Sequence, residues 1–175
     1  MGLLYIFAVS ASVGVYSILP LYLVKERGME LNFANTLFGI SRVGGILASV
    51  FAGFLADLYG YRKMLVISLF TTGISTIVLS FSSTLSWITI TLILQATLAT
   101  GFFAVALATI SKLTPFFERS KAIGVIVSIG MVFGMGIVPF LLGVIADNSS
   151  FQRGILWLGI VTTLSPLAVA LLGEK

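Results

Sequence analysis

Long charge-free stretches dominate the chain and predict membrane-spanning helices, each of which needs about 20 mostly apolar residues. Met1–Val24 carries no charge, and Leu31–Ala56 carries only Arg42. Met64–Ser111 is long enough for two spans joined at the polar patch 82–86. The alternation of apolar and polar residues that marks barrel strands is absent. We therefore predict an all-α bundle over residues 1–175 with spans at 3–23, 33–57, 63–81, 86–111, 120–146 and 152–172.

A short internal repeat relates the two halves of this pattern. The segment Gly53–Asp57 recurs 90 residues later as Gly143–Asp147, and each copy ends one span and leads into the next. The shift crosses three predicted spans, so the copies face opposite sides of the membrane. An inverted three-plus-three repeat of this kind is typical of secondary transporters.

Composition supports a membrane protein and excludes several kinds of enzyme. The chain is 58% hydrophobic and 9% charged, whereas soluble domains are about 25% charged. It has no Cys and no His, which excludes thiol chemistry, histidine metal sites and Ser-His triads. No phosphate-binding glycine loop is present, and a net charge of +4 is too dilute for a nucleic-acid surface. We predict no catalysis, no metal, no cofactor and no nucleic-acid partner.

The distribution of Lys and Arg predicts the orientation in the membrane, because cytoplasmic loops carry the excess of positive charge. The first, third and fifth connections hold three such residues, whereas the second and fourth connections and the C-terminus hold six. We therefore expect a multi-pass protein of the plasma or inner membrane with both termini cytoplasmic. The basic residues on the cytoplasmic side are Arg62, Lys63, Lys112, Arg119, Lys121 and Lys175.

The most specific motif is the segment Gly53–Lys63, GFLADLYGYRK, at the predicted cytoplasmic end of span 2. It resembles the signature loop of the major facilitator superfamily, with Leu58 and Tyr61 at positions where basic residues are usual. The resemblance implies one six-helix half of a twelve-helix transporter that moves a small solute by alternating access. The degenerate loop favours the second half, helices 7–12. The chain also starts directly in a span, so we expect the missing half, or a second copy of this chain, as its partner.

The signature-like segment suggests a conformational latch. Asp57 ends its helix, where the helix dipole repels a carboxylate, and the N-terminus of span 5 could stabilise it. We expect Gly53 to let helices approach, Gly60 to form the turn, and the basic residues after the turn to pair with Glu118. The alternative is a plain turn with positive charges. The predicted latch comprises Gly53, Asp57, Gly60, Arg62, Lys63, Glu118 and Arg119.

Arg42 is the strongest candidate for a substrate contact, since it lies nine residues into predicted span 2. A charge at such depth costs about 2.5–3.5 kcal/mol and marks a functional site by default. We expect Arg42 to face a watery cavity and to attract an anionic or carboxylate-bearing substrate. The alternatives are a pairing with a carboxylate, for which Asp147 is the closest candidate, or contact with outer headgroups.

Spans 1 and 4 contribute the remaining substrate-site candidates. The family resemblance implies that these two spans line the central path, which favours Tyr16 and Gln95. Ser12 lies on the face of Tyr16, and Phe102 lies on the face of Gln95. Hydrogen bonding between helices is the alternative role for the polar members of this group.

Span 5 carries a helix-packing pattern. Gly130 and Gly134 have the GxxxG spacing that permits close contact, and Pro139 should bend the helix. Gly143 and Asp147 end the span as the second copy of the repeat.

Two other functions stay open at this stage, a homo-oligomeric channel and a non-transporting membrane subunit. A channel would need a recurring polar face on one helix, and a subunit of the second kind would need a sizeable soluble domain or a long charged loop. Neither feature occurs in the sequence.

Overall fold

Six helices account for almost all of the residues that the computed structural model describes, which are 2–172, with side chains through 167. The first five are long and apolar enough to cross a membrane, and the sixth, of 22 residues, also has the length of a span. No strand occurs among these residues, so the predicted all-α class is confirmed. The helices are α1 (Gly2–Lys25), α2 (Leu31–Tyr59), α3 (Tyr61–Phe81), α4 (Leu85–Leu113), α5 (Phe116–Asn148) and α6 (Phe151–Leu172).

Three of the helices contain a local irregularity. π-helical turns occur at Ser10–Gly14 in α1 and at Val132–Ile137 in α5. In α2, the Arg42 N–H bonds to the Gly39 carbonyl, 3.2 Å away and only three residues back. Pro139 is the second residue after the second π turn. The backbone hydrogen bond that proline cannot donate would reach back into that turn, where the helix is already irregular.

The pairing of helices follows the inverted repeat. α2 packs along α4, α5 packs along α1, and α3 packs against α6. If α1 is exchanged with α4, α2 with α5 and α3 with α6, the α2–α4 pair becomes the α5–α1 pair. The α3–α6 pair stays the same. This set of contacts is what a three-plus-three repeat requires.

Glycines make each of these crossings close. A β-carbon built on Gly134 of α5 would overlap the Val9 side chain of α1 and lie 3.0 Å from the Val9 carbonyl oxygen. One built on Gly45 of α2 would lie 2.7 Å from Thr100 Oγ1 of α4. The α3–α6 crossing depends in the same way on Gly73 and Gly159.

Two faces of the bundle remain apolar and exposed. They belong to α2 and α5, in which about a fifth or less of the most apolar window is buried. On α2 the exposed side chains include Ile46 and Val50, each 70% exposed, and on α5 they include Phe140, 69% exposed. Such surfaces contact lipid or another protein.

Candidate functional site

Arg42 occupies the irregular point of α2, some 16 Å along the helix axis from Leu31 at 1.5 Å per residue. Its guanidinium carbon lies 4.3 Å from the centre of the Tyr16 ring and 4.9 Å from the centre of the Phe38 ring. The two rings meet edge to face, with 5.8 Å between their centres. Within residues 2–172, the only ion pair closer than 4.0 Å joins Lys112 and Asp57, so it does not involve Arg42.

The contact with two aromatic rings explains how a charge is tolerated at this depth. Cation–π attraction contributes about 0.5–2 kcal/mol, with the larger value where the charge is desolvated. The two rings contact the guanidinium from within the bundle. Arg42 is otherwise exposed.

Tyr16 is held in place by Gln95 of α4. The Tyr16 hydroxyl donates to Gln95 Oε1 at 2.7 Å, and Gln95 Nε2 donates to the Ala11 carbonyl at 2.9 Å and to Thr76 Oγ1 at 3.3 Å. Ala11 lies in the π turn of α1, where carbonyls lose their regular helix partners. The Gln95 side chain is fully buried, and its amide connects α1, α3 and α4.

The five predicted substrate-site residues therefore divide into two groups. The structure brings Arg42, Tyr16 and Gln95 together. Ser12 instead bonds to the Ala8 carbonyl of its own helix at 2.8 Å. Phe102 is 1% exposed and lies in a different core cluster from Tyr16.

Phe38 is a member of this site that the sequence reasoning missed. It lies four residues before Arg42, on the same helix face, and that spacing is the signal that could have identified it. Thr76 was also missed. Its hydroxyl is one of many in α3, and no sequence signal distinguishes it.

The Asp57 carboxylate lies at the end of α2 beside α4. It accepts a short hydrogen bond from the Tyr61 hydroxyl, and its Oδ1 lies 3.7 Å from Lys112 Nζ. Lys112 Nζ also lies 3.8 Å from the centre of the Tyr61 ring. The partner of Asp57 is thus the end of α4, whereas we had expected the start of α5. The reason is the helix pairing, because α4 runs along α2 while α5 packs on α1.

The other predicted latch residues form no hydrogen bond or ion pair with the Asp57 side chain among the described residues. Gly60 has a φ of 94°, a conformation that favours glycine, and it forms the turn as expected. A β-carbon at Gly53 would meet nothing within 4 Å, so Gly53 does not mark a close helix contact within the described residues. Arg119 Nε donates to the Thr114 carbonyl at 3.2 Å. The exposed members are Arg62, Lys63 and Glu118.

The predicted packing residues of α5 also differ among themselves. Gly130 and Gly134 both face α1, and a β-carbon at Gly130 would lie 2.7 Å from Tyr5 Cδ1. Gly143 has open space around it, and Asp147 is exposed.

A contact at the opposite end of the bundle was not anticipated. The Glu26 carboxylate, just after α1, accepts the backbone N–H groups of Phe151 and of Gln152, the latter at 3.1 Å. Its neighbour Arg27 donates to the Tyr22 hydroxyl at 2.8 Å and to the Ser80 carbonyl at 3.4 Å. No sequence signal distinguishes this contact, because the first turns of α2, α3 and α4 also lack an acidic residue.

Comparison with known proteins places this arrangement in a family. The family model described as Major Facilitator Superfamily matches residues 1–175. An uncharacterized MFS-type transporter of Bacillus subtilis is 31% identical over 151 residues, which are 83% of this chain and 38% of that protein. One from Methanocaldococcus jannaschii is 26% identical over 131 residues, 75% of this chain and 34% of its own length.

A third relative, an uncharacterized MFS-type transporter of Mycobacterium tuberculosis, is 29% identical over 130 residues, 73% of this chain and 18% of that protein. The chain thus spans between 18% and 38% of the length of these relatives. Its apolar helices and the match to the family model make it a multi-pass integral membrane protein. Since that model covers the whole sequence, the chain belongs to the major facilitator superfamily.

Proposed function

We propose that this chain is one six-helix half of a secondary transporter, more specifically the second half, that moves a small solute by alternating access and carries out no catalytic step. Membership of the family supports transport. The pairing of helices supports the mechanism, since inverted repeats of this kind enclose a site near the middle of the membrane.

The exposed apolar faces of α2 and α5 support a second six-helix unit as partner. A partner that packs on both faces would cover Ile46, Val50 and Phe140. The partner is either another half of the same transporter or a second copy of this chain. In the proposed orientation the α2–α3 and α4–α5 connections face the cytoplasm, together with both termini.

Arg42 is the proposed anchor for an anionic or carboxylate-bearing group of the solute. The observation that carries this proposal is the exposed guanidinium, whose carbon lies 4.3 Å from the centre of the Tyr16 ring and 4.9 Å from the centre of the Phe38 ring. A planar guanidinium binds carboxylate or phosphate in bidentate fashion, whereas a lysine ammonium acts as a point charge. Gln95 acts indirectly, because it holds the Tyr16 ring on which Arg42 rests.

The test is a comparison of Arg42→Gln, Arg42→Lys and the control Arg62→Gln in the complete transporter. A panel of carboxylates, phosphates and uncharged analogues is added to purified protein, and thermal stabilisation is measured. We expect one class of anions to stabilise the wild type and Arg62→Gln but neither Arg42 variant. Stabilisation of Arg42→Gln by the same anions would refute the anchor. Counterflow of that anion in proteoliposomes then tests transport itself.

Asp57 and Lys112 form the proposed latch of the cytoplasmic end. Both side chains are exposed, so the pair adds little stability and would act on the balance of conformations. We expect Asp57→Asn and Lys112→Gln to shift inward and outward accessibility in the same direction, with normal expression. If accessibility and transport are unchanged in both variants, the segment is only a turn.

A further inference from the structure

The connection between α4 and α5 exposes two adjacent phenyl rings. Phe116 is 75% exposed and Phe117 is 92% exposed. They form a single 3-10 turn after Pro115 and meet edge to face, with ring centres 5.6 Å apart. A phenyl ring in water lacks the favourable free energy that burial would give it. This turn would therefore be more stable in an apolar environment, which the described residues do not provide.

The same end of the bundle carries most of the basic charge. We call it the basic end, meaning the α2–α3 turn and the α4–α5 connection, which the contact of Lys112 with Asp57 holds side by side. Within residues 2–172 the basic end has five basic and two acidic residues, and the opposite end has three of each. The five basic residues are Arg62, Lys63, Lys112, Arg119 and Lys121.

Four of the five basic groups are available to an external partner. Lys112 faces Asp57 and Tyr61. Arg119 bonds to the Thr114 carbonyl through Nε alone, and its guanidinium carbon lies 5.7 Å from the centre of the Phe116 ring. This contact places a basic group directly beside the exposed phenyl pair. Arg62, Lys63 and Lys121 are exposed.

We infer that the basic end is a binding surface for anionic phospholipid, in which Phe116 and Phe117 enter the leaflet and Arg119 and Lys121 contact the headgroup phosphates. The apolar rings and the basic groups are adjacent along the chain, as insertion at a membrane surface requires. The excess of positive charge matches the negative potential of an anionic leaflet. The opposite end lacks both the charge excess and a comparable phenyl pair among the described residues.

The experiment reads out lipid contact from a tryptophan placed in the turn. Phe117→Trp is made in a background with Trp87→Phe and Trp157→Phe, since these are the only two tryptophans in the chain. The full protein is reconstituted in vesicles of phosphatidylcholine and phosphatidylglycerol, in which either lipid carries brominated acyl chains. Bromine quenches tryptophan on contact, so the ratio of quenching by the two lipids at equal mole fraction reports the local enrichment.

We expect quenching by both lipids, stronger by about twofold or more for phosphatidylglycerol because the basic residues attract it. High salt should lower the ratio, as screening requires. Arg119→Gln with Lys121→Gln should bring the ratio close to one. The matched control, Lys25→Gln with Arg153→Gln at the opposite end, should leave the ratio unchanged.

Two results would overturn the inference. Equal quenching by the two lipids would mean that the phenyl pair enters the membrane without selecting a headgroup. Absence of quenching by either lipid would mean that protein, for example a second six-helix unit, covers Phe117.

Discussion

The crossing of α1 and α5 offers a sharp test of the packing, through Gly134→Ala. A β-carbon at this position would overlap Val9 Cγ1 and lie 3.0 Å from the Val9 carbonyl oxygen. Carbon atoms prefer a separation of about 3.5–4.0 Å. Val9 is fully buried, so its side chain has little room to rotate, and the two helices must move apart.

The expected cost follows from the size of the overlap. Added methyl groups in tightly packed cores destabilise by about 1–3 kcal/mol. The control is Gly143→Ala on the same helix, where a β-carbon would meet nothing within 4 Å. There the change removes a poor helix former, and we expect a neutral effect or a gain of up to about 1 kcal/mol. The two variants make the same substitution on one helix, and only Gly134→Ala should be destabilised.

Unfolding in mixed micelles with increasing dodecyl sulfate, followed by tryptophan fluorescence, measures the free energy of each variant. A further change, Val9→Ala, removes the methyl groups that the new β-carbon would meet. We expect it to recover part of the loss in Gly134→Ala, so that the double-mutant cycle gives a favourable coupling. Equal stability of Gly134→Ala and Gly143→Ala would refute the close approach of α1 and α5.

Three further predictions follow from other contacts. Tyr16→Phe keeps the ring beside Arg42 but leaves Gln95 Oε1 without its donor, and should lower the free energy of unfolding by about 0.6–1.7 kcal/mol. A loss of anion binding as large as that of Tyr16→Leu would show that the ring alone does not support Arg42. Glu26→Gln removes the charge that the first N–H groups of α6 attract, and should cost about 0.3–1 kcal/mol in the micelle assay, whereas the control Asp147→Asn, an exposed carboxylate near the C-terminal end of α5, should cost nothing. A cysteine at Ser83 should react with an impermeant reagent from outside and one at Tyr61 should not, in a chain that has no native Cys; the reverse pattern would overturn the orientation.

The fold was largely predictable because its signals are local. A span is recognised from its own apolar run, as in Leu85–Leu113, and the turn at Gly60 needs only the conformational freedom of glycine. The repeat of Gly53–Asp57 as Gly143–Asp147 predicted the inverted relation of the two halves, but it did not predict which helices pair.

The candidate site was predictable only in part because its contacts depend on helix rotation and on neighbours in space. Arg42 was identified by its depth alone, but the ring beneath it depends on how α1 and α2 face each other. The observed partner of Asp57 differs from the expected start of α5 because the charge pattern gives the side of the membrane and not the adjacent helix. Lys112 and the start of α5 lie at the same end of the bundle. Only the packing of α4 along α2 determines that Lys112 is the residue that meets Asp57.

The repeat also shows that the two halves of the bundle differ in charge at equivalent positions. A shift of 90 residues carries Gly44 to Gly134, and both glycines pack closely on a neighbouring helix. The same shift carries Arg42, at the irregular point of α2, to Val132, where the π turn of α5 begins. Both helices therefore break at the same depth, but only one break carries a guanidinium. Since each break leaves backbone groups for local rearrangement, the proposed anchoring role of Arg42 predicts that binding of an anion there couples to movement of α2.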